Sequence, residues 1–104
     1  MAVSGDSTRV VYGTIVGTGL LTVFTASAET IVSTIILSNV LTTQIEVDLF
    51  LDDTTTVGSI VTNLVIPAGQ SYAVDKALFM ANLDQLQVQS DTAVSCQVTL
   101  GYIT

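Results

Sequence analysis

The stretch LDQLQVQSDTAVSCQVTLGYI, residues 83–103, alternates apolar and polar side chains on both sides of one short turn. Leu86 and Val88, then Val94, Cys96, Val98, Leu100 and Tyr102, share one parity; Gln85, Gln87, Gln89, Ser95, Gln97 and Thr99 share the other. A period of two belongs to a strand with one covered face, because successive side chains point to opposite sides of a sheet. Strands of this kind are marginal alone and need a second layer to cover their apolar side.

Comparable runs fill the chain. They predict strands near 9–16, 20–26, 30–39, 44–51, 59–66, 71–79, 84–90 and 94–103, separated by Gly17 and Gly19 and by the turns LTT, DDTTTVG, PAGQ and SDTA. Pro67 opens a turn in which Gly69 can adopt the positive φ of a type II geometry. Only 77–81, ALFMA, admits a helical turn as an alternative. Sixteen Thr and nine Ser supply the polarity while only 11% of residues are charged, and β-branched residues favour a pleated, half-buried surface. The expectation is an all-β chain: an antiparallel β-sandwich of about eight strands, jelly-roll-like. It would form one domain over 9–104, preceded by a flexible arm at 1–8.

Residues 44–53, QIEVDLFLDD, place Ile45, Val47, Leu49 and Leu51 on one face and Glu46, Asp48, Phe50 and Asp52 on the other. Same-face neighbours on a straight strand lie roughly 6.5–7 Å apart, too far for two carboxylates to grip one Ca²⁺ at about 2.3–2.6 Å. DDTTTVG also lacks the D-x-[DN]-x-[DN]-G pattern of a calcium loop. This strand is predicted to be a solvated acidic face that binds no divalent metal. No cofactor is expected.

Composition removes most chemistry. The chain has no His, which excludes Ser-His-Asp triads and most zinc sites. A Ser–Lys dyad would have to use Lys76, the only lysine, which stands next to Asp75, and no phosphate loop is present. Cys96, the only cysteine, reads as a core thiol. SDTAVS, 90–95, is similar to the Asp-Thr-Gly of small dimeric aspartic proteases, but Ala93 stands where those enzymes have glycine, and a polar turn explains it. The chain reads as non-enzymatic. With Arg9 and Lys76 the only cations against nine carboxylates, net charge −7, nucleic acid and anionic membranes are excluded as partners. Mean hydropathy is +0.69, yet no apolar stretch approaches the ~18–20 residues of a membrane span. The N-terminus has no basic segment followed by an apolar run, so no cleaved signal is expected.

From about Ile31 to Ile103, TIILSN, EVDLFLDD, IPAGQSYAVDKALFM, LDQLQVQSD and VSCQVTLGYI together resemble small β-sandwich structural proteins of tailed bacteriophages. The family's usual glycine before the aspartate is replaced here, in Asn82-Leu83-Asp84. The resemblance implies a virion structural protein made in the host cytoplasm. Its first form is a capsid decoration (cement) protein on the outer surface of the head; the alternative within the virion is a tail, fibre or baseplate subunit. A carbohydrate-binding or adhesive module is the alternative from another class, though the chain has no Trp. Decoration proteins often sit on threefold axes, which implies a homotrimer bound to the major capsid protein or another virion protein. The candidate interface is Ala2, Val3 and Ser4 of the arm, Val32 and Ile36 of a run apolar on both parities, and Phe50 on the acidic face.

Overall fold

The computed structural model describes residues 8–74 and 76–103. Its strands are β1 (Thr8–Val16), β2 (Leu21–Thr25), β3 (Thr30–Asn39), β4 (Ile45–Asp52), β5 (Val57–Ile66), β6 (Ser71–Val74), β7 (Leu78–Met80), β8 (Gln85–Ser90) and β9 (Cys96–Ile103). One sheet has the order β1-β9-β3-β6 with β7 also on β3; the other is β2-β8-β4-β5. Every pairing is antiparallel. Since β6 and β7 pair with successive parts of β3, at Ile35↔Val74 and Val32↔Leu78, they are two pieces of one edge strand. Counted so, eight strands divide four and four between two packed sheets, with β4 and β5 the one consecutive pair in the same sheet, which is the jelly-roll arrangement. The predicted strand 71–79 is present but broken, and the segment that admitted a helical turn holds β7.

The core lies between the sheets. Ile35, Leu37 and Leu100 come from one sheet and Ile45, Leu49 and Leu86 from the other, each at most 1% exposed. Burying an aliphatic side chain of this size contributes roughly 1.5–3 kcal/mol. At the β2 end Phe24 packs on Tyr102, ring centroids 4.7 Å apart and tilted by 45°. This tilted arrangement adds to simple area burial.

A bulge explains why β3 looked apolar on both parities. Val32 pairs with Tyr102 and Thr34 with Gly101, so Ser33 is an extra residue that shifts the pleat. Val32 faces inward before it, and Ile35 and Leu37 face inward after it. Val32, expected at an interface, is a fully buried core residue. The expected inward position of Val94 also fails. It lies in the turn before β9 with φ 48° and 67% exposure, while Ser95 takes the buried place and hydrogen-bonds Ser90 Oγ and the carbonyl of Thr92, both at 2.5 Å.

All four edge strands are interrupted. β1 gains a residue between Val11 and Thr14, β2 gains one at Val23, β5 is bulged twice against β4, and β6–β7 is split. Bulges and short segments, like lysine or proline, protect a sheet edge. With Lys76 and Pro67 the only lysine and proline in the sequence, backbone irregularity guards these edges instead.

Candidate functional site

The two outer faces differ in chemistry. On the β2-β8-β4-β5 sheet, Glu46, Asp48, Phe50 and Asp52 point outward as expected, beside Gln85, Gln87 and Gln89 of β8. Glu46, Asp48 and Asp91 line a shallow hollow of about 270 Å³ with Asn63, Gln89 and Ser90.

Most of these carboxylates hold backbone. Asp48 Oδ1 accepts the Asn63 N–H at 2.7 Å, fixing the bulge where Asn63 has φ 53°. Asp91 Oδ1 accepts the Glu46 N–H at 3.1 Å, and its own N–H donates to the Glu46 carbonyl at 3.0 Å. Asp52 Oδ1 accepts the N–H of Thr54, which lies at φ 74°. Asp53 Oδ1 accepts the N–H groups of Thr56 and Thr55 at 2.7 and 3.1 Å. These bonds hold the Asp53 carboxyl below its ordinary range, Thr56 contributing most. Short polar side chains commonly satisfy turns in this way. Among the described residues, no group of three or more His, Cys, Asp or Glu is arranged to hold a metal ion.

The other outer face carries no charge on β3, β6, β7 or β9. Its outward residues run in cross-strand rows: Gln97–Ser38–Ser71, then Thr99–Ile36–Ala73, then Gly101 beside Thr34 and Ser33, then Ile103–Ile31–Phe79. Ser38 and Ser71 share a hydroxyl hydrogen bond of 2.9 Å. Phe79 is 75% exposed and Ile31 38%, with the half-buried Ile103 completing an apolar row across three strands. Directly opposed side chains have Cβ atoms about 4.5–5.5 Å apart, so these three form one patch.

Cys96, by contrast, is fully buried, and burial pushes its thiol up to about 11. A thiol so placed is inert as a nucleophile near neutral pH. Asp91, the aspartate of the protease-like turn, braces β4 as described above.

Of the expected interface residues, Ile36 lies half-buried on the uncharged face and Phe50 half-buried on the acidic face. Ala2, Val3 and Ser4 fall outside the described residues, as does the predicted arm up to residue 7. The row Ile103–Ile31–Phe79 escaped the sequence reading. Its members lie 24 to 72 positions apart, and only strand register unites them.

No protein-family model matches the chain, and no curated protein matches it by sequence. Among solved structures, it is similar to the crystal structure of a pentameric capsid protein isolated from metagenomic phage sequences. The TM-score is 0.50 at 20% identity, over 91% of this chain and 59% of that one. This chain therefore spans less than two thirds of that protein's length. At such identity the likeness is one of fold.

Proposed function

We propose that this chain is a non-enzymatic structural protein of a bacteriophage particle, a decoration protein seated on the outer surface of the head. The observation that carries the reading is the fold: a nine-tenths-covered likeness to a phage capsid protein, in a jelly roll whose two outer faces are chemically divided. Folds host many functions, so the surface has to supply the rest. An acidic face suits the outside of a shell packed with nucleic acid, where its carboxylates meet solvent rather than phosphates. The uncharged face is free to contact protein. Self-association agrees with the pentameric state of the similar structure. The subunit number, three by the sequence resemblance, is read by native mass spectrometry.

Imaging particles assembled with and without the chain tests the location. Extra density on the outer head surface, only when the chain is present, is the expected result. Density on the tail would move the protein to a tail, fibre or baseplate role, and identical particles would overturn the virion reading.

A further inference from the structure

We infer that copies of this chain meet through the outer face of the β1-β9-β3-β6/β7 sheet, with Phe79 as the anchor and the acidic face turned away. The inference deepens the proposal above and rests on the chain being oligomeric.

Charge excludes the alternative face. Two copies meeting through Glu46, Asp48 and Asp52 would bring like charges together at an interface with only two cations per chain to offset them. The opposite sheet has no such obstacle, since the outward residues of β3, β6, β7 and β9 are hydroxyls, amides and apolar groups. Among the described side chains, charge comes in at its margin, with exposed Glu29 before β3 and exposed Lys76 in the break between β6 and β7.

Edge pairing is disfavoured as well. A partner strand needs a straight row of free N–H and C=O groups, and each edge here is bulged or split. Face contact remains. Four strands of seven to ten residues, at ~4.8 Å spacing and ~3.3 Å rise, give a face of roughly 540 Å², so two copies cover roughly 1,100 Å², just above the ~1,000 Å² of a specific interface. An exposed aromatic with aliphatic neighbours and a polar surround has the anatomy of such an interface.

Sedimentation of the purified chain from about 1 µM to about 1 mM reads association across the range of weak to moderate contacts. The wild-type chain is expected to associate with concentration. Phe79→Glu should weaken association roughly 10- to 100-fold, the effect of unburying one aromatic anchor. Thr34→Glu, an exposed position on the same face, should also weaken it. Val65→Glu places the same charge on the acidic sheet, where Val65 is 47% exposed, and should change association no more than about twofold. Circular dichroism checks that each variant keeps its strands. A wild-type chain monomeric throughout, or Val65→Glu weakening association as much as Phe79→Glu, would overturn the inference. The assay uses the chain alone, so absence from phage particles would defeat the virion reading without touching this result.

Discussion

Asn39 ends β3 with only 3% of its surface exposed, and it joins two loops that cap the core. Its Nδ2 donates to the carbonyls of Thr43, Ile66 and Pro67 at 2.7, 3.0 and 3.1 Å. Its Oδ1 accepts the Leu41 N–H at 2.9 Å. Its backbone N–H reaches the Gln70 carbonyl at 2.9 Å. One amide thus ties the β3–β4 loop to the end of β5 and the turn at 67–70, across both sheets. Asn39→Asp keeps the shape and removes both donors. The Ile66 carbonyl is the buried member of the three and loses its side-chain partner, at about 1–3 kcal/mol. One oxygen of an ionised carboxylate keeps the Leu41 N–H, but the other faces carbonyl oxygens, which raises the total to about 3–5 kcal/mol, the scale of breaking a buried charged pair.

The sign with pH is diagnostic. Burial and the facing carbonyls raise the new carboxyl above its unfolded value of about 3.9. A raised folded pKa contributes stability that is present below the unfolded value and lost as pH rises through the folded one. The variant should therefore lag the wild type most at neutral pH and recover part of the gap below about pH 4. In a chain of this size, a loss of 3 kcal/mol lowers Tm by roughly 10–20 °C. Thermal melts at pH 7 and pH 3.5 measure both effects. A variant within about 2 °C of wild type at pH 7, or a gap that widens in acid, would refute the argument.

Three further outcomes follow from the backbone and core. Leu83 is 58% exposed and lies at φ 77°; Leu83→Gly should raise stability by about 1 kcal/mol in urea titrations, since the left-handed region costs a side-chain-bearing residue about 1–2 kcal/mol. A Cβ at Gly17 would sit 3.0 Å from Val94 N and 3.3 Å from Ala93 Cα; Gly17→Ala should cost about 1–3 kcal/mol in the same titration. The Cys96 thiol should resist alkylation at pH 8 until the chain unfolds. Its contribution to stability is complete below about 9 and should fade as pH rises toward 11, which melts between pH 8 and 11 would show.

The fold was legible because nearly every strand carried a clean period of two: Leu86 and Val88, or Ile45, Val47 and Leu49, face inward as alternation demands. The same rule failed where the backbone adds a residue. Ser33 made β3 look doubly apolar and sent Val32 to a surface it does not occupy, while the turn at 91–95 exchanged Val94 for Ser95. Bulge positions depend on cross-strand register, which a single sequence does not display. The acidic face was read correctly from Glu46, Asp48 and Asp52. What those carboxylates do, holding Asn63 and Thr54 in left-handed conformations, required the partners. The patch at Phe79, Ile31 and Ile103 was hidden for the same reason: three strands supply it, and their order is a property of the fold.

Membership of a phage particle is read from the protein composition of purified particles. Quantitative mass spectrometry should find the chain at a fixed copy number relative to the major capsid protein, unchanged through gradient purification. Its loss from gradient-purified particles, with the major capsid protein retained, would show that it is no structural part of the virion.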